Sequence, residues 1–120
     1  MITGIDLAVL YVRDQAATVD FYTRVLDFQK TTDAEMWPGA RWVELTPPGG
    51  GTRITVHTAS EFNRSPGEGA YLILACDDAA ATARRLRERG ATATEPVTEP
   101  WGTYIKVEDP DGGDIMIAEK

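Results

Sequence analysis

Asp14-Gln-Ala-Ala-Thr18 and Asp78-Ala-Ala-Ala-Thr82 differ at one position and lie 64 residues apart. Each opens with an aspartate, a residue whose carboxylate accepts the free N–H groups of a first helical turn. Each follows a run of strand-forming residues, Ile5-Asp-Leu-Ala-Val-Leu-Tyr-Val12 in one case and Ala70-Tyr-Leu-Ile-Leu-Ala-Cys76 in the other. A strand that feeds directly into an aspartate-capped helix is therefore written twice. Working outward, Phe21, Tyr22, Val25 and Leu26 keep helical spacing, which predicts an amphipathic helix over 15–26. The second helix is predicted from a cap at Asp77 or Asp78 to about Arg89, with Gly90 at the position that closes helices.

The remainder of each half alternates with period two. A strand is predicted near 28–33, followed by punctuation at Trp37-Pro38-Gly39. Residues 41–46 and 53–58 flank the turn cluster Pro47–Gly51 and form a hairpin. In the second half a strand is expected near 92–95, punctuation at Trp101-Gly102, and strands at 103–108 and 114–119 around Asp109–Gly113. Trp37 and Trp101 share the 64-residue offset, and Trp42–Pro48 corresponds to Tyr104–Pro110. Two copies at so long a period indicate duplication, not a solenoid. The expected fold is one α+β domain over 1–120, built from β-α-β-β-β modules at about 1–59 and 69–120. The polar stretch Ser60–Gly69 reads as their linker, and the two sheets are expected to enclose a cleft.

Composition bounds the function. The net charge is −7, which opposes nucleic acid, whose phosphates demand basic surfaces. The one basic cluster, Arg84, Arg85, Arg87 and Arg89, falls at the end of the second helix, where positive charge complements the helix dipole and faces solvent. No apolar run approaches the ~20 residues of a membrane span. The first residues lack the basic and apolar regions of a secretion signal, so a cytoplasmic location is expected. Cys76 is the single cysteine and sits in an apolar run, where it reads as a small buried hydrophobe.

Val12-Arg-Asp14, Asp20-Phe-Tyr-Thr-Arg-Val-Leu-Asp-Phe28 and Glu108-Asp-Pro-Asp-Gly112 together resemble the glyoxalase/bleomycin-resistance/extradiol dioxygenase family, the vicinal oxygen chelate superfamily. The resemblance spans nearly the whole chain. Asp27 stands where the family usually has glycine, and aspartate tolerates a left-handed backbone. The resemblance implies paired β-α-β-β-β modules around a cleft. It admits metal-dependent lyases, isomerases and ring-cleaving dioxygenases, and also metal-free proteins that sequester antibiotics. It places the family's metal ligands at Leu7, Thr55, Tyr71 and Met116. Leucine, threonine, tyrosine and methionine replace histidine and glutamate there, so no metal and no other cofactor is expected. The resemblance also implies a homodimer, with the cleft formed within one chain or across two.

Strand parity then divides the faces. Val43, Leu45, Ile54, Val56, Ile105, Val107, Ile115 and Ile117 form the apolar parity that packs on the helices. The opposite parity lines the cleft with Trp42, Glu44, Thr46, Thr55 and His57, and with Tyr104, Lys106 and Met116. Leu7, Val9 and Tyr11, with Tyr71, Ile73 and Ala75, share that parity on the first strands. Trp37 and Trp101 are expected in loops at its rim. An aromatic lining with few ionisable groups suits a flat organic ligand. Glu44 is a candidate general base, or a partner for Lys106. His57, the only histidine, reads as a surface or hydrogen-bonded side chain or as a ligand contact. Three functions follow: a metal-free binder of the drug-sequestering type, a metal-free isomerase, epimerase or lyase using Glu44, or a module whose role is assembly.

Overall fold

Asp14 caps the first helix, and of the two candidates in the second half it is Asp78 that caps. Asp14 has extended backbone and its Oδ1 accepts the Ala17 N–H at 3.1 Å. Asp78 does the same for Ala81 at 3.0 Å. In the computed structural model, which describes all residues Met1–Lys120, the chain forms two compact units, Met1–Ala70 and Tyr71–Lys120. The architecture is mixed α+β.

The first unit runs β1 (Leu7–Val12), α1 (Gln15–Asp20), β2 (Gln29–Trp37), β3 (Ala40–Thr46) and β4 (Arg53–Thr58). Its sheet has the order β1-β4-β3-β2, with β1 parallel to β4 and the other pairs antiparallel. The second unit repeats this with β5 (Ile73–Cys76), α2 (Ala79–Glu88), β6 (Val97–Glu99), β7 (Gly102–Glu108) and β8 (Asp114–Glu119), in the order β5-β8-β7-β6. The residues assigned to the helix side are buried without exception. Leu45 and Val56 in the first sheet, and Ile105 and Val107 in the second, expose nothing. Each such side chain contributes about 1.5–3 kcal/mol on leaving water.

Four departures from the expected elements have physical causes. The first helix changes to a π-turn over Phe21–Val25, closed by Leu26 N–H donating to Phe21 O. Phe21, Tyr22, Val25, Leu26 and Phe28 are all buried around it, with Tyr22 edge-on to both Phe21 and Phe28. Asp27 then takes the left-handed backbone, φ 63°. Second, β2 extends to Trp37, so that residue is part of a strand and not a loop. The tight turn is Pro38-Gly39 alone, and Trp37 pairs with Ala40 across it. Third, the strand expected near 92–95 is only an irregular pairing, with an isolated bridge from Ala93 to Val107. Pro96 has no N–H to continue a ladder, and regular β6 starts beyond it at Val97. Fourth, β5 starts at Ile73, which leaves Tyr71 outside the strand.

That last departure follows from the expected linker. Residues 67–70 bond to the free edge of β1: Tyr11 N–H to Glu68 O, Gly67 N–H to Tyr11 O, and Ala70 N–H to Val9 O, at 2.8–3.0 Å. The segment is a strap on the first sheet. Before it, Ala59–Phe62 form a single 3-10 turn.

A candidate aromatic ligand face

β3 and β4 pair regularly at only two positions, Glu44 with Thr55 and Leu45 with Ile54. Beyond them the strands part. The side-chain amide of Gln15, at the start of α1, enters there and donates to Val56 O at 2.7 Å and Arg41 O at 2.9 Å. Trp42 meets His57 at 4.9 Å between centroids. His57 meets Tyr11, its neighbour on β1, at 5.9 Å. The 3-10 turn delivers Phe62 onto the same group, 4.4 Å from His57 and tilted by only 31°. Phe62 also reaches Tyr11 and Trp37 at about 6 Å. The guanidinium of Arg64 lies 5.2 Å from the Tyr11 ring centroid, within cation–π range.

The face thus joins four expected residues, Tyr11, Trp37, Trp42 and His57, with one outside the expected lining, Phe62. Phe62 is the one large apolar side chain in an otherwise polar linker, and that isolation was its signal. His57 is neither a surface histidine nor a hydrogen-bonded one. It is 3% exposed and its Nδ1 is buried without a partner. Burial holds its pKa below the ordinary 6.5, with Glu61 opposing weakly. The unfolded chain therefore binds a proton more readily than the folded one between those values. Wild-type stability from this residue is complete above pH 6.5 and is lost as pH falls through the folded value. Urea titrations from pH 7.5 to 5 should show wild type losing stability relative to His57→Phe, and a constant difference would contradict the assignment.

Glu44 is held from both sides. Oε2 accepts the Trp42 indole N–H at 2.7 Å, and Oε1 accepts Arg53. Arg53 also binds Asp6 at 2.5 Å. Glu44 is paired with a cation, and the cation is Arg53, one diagonal away across β3 and β4. Arg53 has the parity of Thr55 and His57, but its partner depends on a register that strand periodicity does not reveal.

The second unit presents a different surface. Trp101, in the turn before β7, stacks on Tyr104 at 5.1 Å and 16°. Trp101, Ile73 and Val97 are exposed, while Lys106 and Met116 are half-buried. Tyr71 is also exposed and donates its hydroxyl to Asp114 Oδ1 at 2.7 Å, which raises the phenol pKa.

The positions at which the resemblance puts metal ligands do not suit a metal. In the first unit they are Leu7, which has no donor atom, and Thr55, a neutral hydroxyl. In the second they are Met116 and Tyr71, whose hydroxyl is committed to Asp114. Nowhere do three histidine, cysteine, aspartate or glutamate side chains converge. A divalent ion needs at least three good donors, so the residues do not fit one.

The family model that matches residues 4–117 is described as the Glyoxalase/Bleomycin resistance protein/Dioxygenase superfamily. A member of that superfamily from Sphaerobacter thermophilus DSM 20745 has a crystal structure that superposes with a TM-score of 0.85. It is 32% identical, with 99% of this chain and 98% of that one covered. TnmS3, an antibiotic binding protein from Streptomyces sp. CB03234, gives a TM-score of 0.84 at 31% identity, covering 98% and 96%. The uncharacterized protein YetH of Bacillus subtilis (strain 168) is 29% identical over 120 residues, covering 99% of this chain and all of the relative.

Proposed function

The chain belongs to the glyoxalase/bleomycin resistance protein/dioxygenase superfamily, and from that premise we propose that it is a metal-independent binder of flat organic molecules, of the drug-sequestering type. The observation that carries the reading is the ring cluster of Tyr11, Trp37, Trp42, His57 and Phe62 on one face of the first sheet. Rings in tilted contact form an apolar, polarisable surface on which a planar ligand stacks. Similarity to an antibiotic binding protein supports the same class of ligand. The side chains at the superfamily's metal positions support the independence from metal.

The alternative, a metal-free isomerase, epimerase or lyase, rests on Glu44. Its two oxygens already hold the Trp42 indole N–H and the Arg53 guanidinium, so a substrate proton would compete with both partners. The geometry favours binding over chemistry. The exposed apolar side chains of the second unit, Ile73, Val97 and Trp101, support a homodimer as part of the proposal.

The test is a titration of tryptophan fluorescence with a panel of aromatic antibiotics, with and without EDTA. Saturable quenching by a planar member, unchanged by the chelator and lost in Trp42→Ala, is expected. A panel without effect, or quenching that requires added metal, would sink the proposal.

A further inference from the structure

Two polar atoms on β4 are buried and unpaired, Thr55 Oγ1 and His57 Nδ1. They belong to one face of one strand, two positions apart, roughly 6.6 Å along the chain. The remaining atom of this kind, Thr18 Oγ1, is on α1. A buried polar group without a partner costs about 1–3 kcal/mol, so such atoms are rare in folded chains. The surroundings of this pair offer no relief. Thr55 lies between Val9 on β1 and Glu44 on β3, and both Glu44 oxygens are engaged elsewhere. His57 is ringed by Tyr11, Trp42 and Phe62.

We propose that Thr55 and His57 form the polar floor of the aromatic face, and that its ligand is an uncharged flat ring bearing a hydroxyl group. This rests on reading that face as a ligand site. A hydroxyl donates and accepts, so it satisfies Nδ1 in either imidazole tautomer and also the Thr55 hydroxyl. A charged group is disfavoured. The floor itself carries no fixed charge, and the nearby Glu44 is paired with Arg53, which it shares with Asp6. Glu61, which acts on His57, and Arg64, which lies over Tyr11, come from the segment after β4 and not from the sheet. Burial favours the neutral imidazole and so strengthens the preference.

Phe62 is the element that gives way. It lies tilted against His57 but comes from a four-residue turn followed by Asn63 in the left-handed conformation. A ligand ring that displaces Phe62 brings its hydroxyl to the edge of the imidazole, where the Nδ1 hydrogen bond lies in the ring plane, and makes a bond that phenylalanine cannot make.

The experiment compares 2-naphthol with 2-fluoronaphthalene, which matches it in shape but cannot donate a proton. Amide NMR titrations on the whole chain give each Kd, and thermal melts confirm that Thr55→Val and His57→Phe remain folded. Wild type should bind 2-naphthol about tenfold more tightly, the effect of one buried hydrogen bond. Each variant should lose most of that preference while retaining affinity for 2-fluoronaphthalene. Thr55→Val is nearly isosteric and carries the test if His57→Phe does not fold. Equal affinities in wild type, or a preference that survives in both variants, would overturn the polar floor and leave the aromatic site standing. Failure of both probes to bind wild type would remove the site itself.

Discussion

Gly69→Ala should destabilise the first unit by about 2–4 kcal/mol, read as a lower urea midpoint. A Cβ built on Gly69 falls 2.3 Å from Val9 O and 3.3 Å from Leu10 Cα, both backbone atoms. Val9 O cannot retreat without breaking its bond from Ala70 N–H. The residue also sits at φ 100°, where side chains are strained. The least costly escape is release of the strap 67–70 from β1. That gives up three backbone bonds, each a net contribution of about 0.5–1.5 kcal/mol. Gly50 is the control. Its φ is also positive, at 80°, but an added Cβ meets nothing within 4 Å, so Gly50→Ala should show only the conformational part. Equal effects at the two sites would mean that the contact with β1 contributes nothing. Release of the strap would also bare the β1 edge to other chains, so the variant should aggregate more readily on heating.

The caps, the duplication and the two-residue alternation were legible because each is a local property of the sequence. Asp14 and Asp78 announce helices by chemistry that acts over three residues. Val43, Leu45, Ile54 and Val56 announce a buried face because strand parity permits only two choices. What escaped depends on register. The partner of Glu44 is Arg53 because the strands pair at Glu44 and Thr55 and then separate. No pattern along either strand encodes where the separation starts. Phe62 escaped because its turn follows β4 within a segment whose polarity resembled a linker. The same segment hid the strap, since Gly67–Ala70 has none of the side chains that mark strands and is held by main-chain bonds alone. Trp37 was misplaced by one turn residue, since Pro38-Gly39 suffices for the hairpin.

Trp42→Ala is expected to abolish planar-ligand binding and to cost about 2–3 kcal/mol of stability, less than the loss of a fully buried tryptophan because the side chain is half-buried. Two roles combine in this residue, and Trp42→Phe separates them. Phenylalanine keeps a ring against His57 but removes the indole N–H that Glu44 accepts. A hydrogen bond to a charged group contributes about 1.5–3 kcal/mol, so Trp42→Phe should recover ligand affinity to within about tenfold yet remain measurably less stable. The partner change then fixes the role of Glu44. In Glu44→Gln the amide oxygen still accepts from Trp42, while the ion pair with Arg53 is lost. If Glu44 holds Trp42 in place, this variant should bind planar ligands within about threefold of wild type, a change below 1 kcal/mol. A general base has no such tolerance, because glutamine cannot take a proton and turnover of any substrate would fall by about a hundredfold or more. Binding that survives Glu44→Gln, with no turnover of the bound compound by either protein, makes Glu44 a positioning residue. Turnover by wild type that disappears in Glu44→Gln would make it a catalyst, and the binding proposal would then describe only the first step of a reaction.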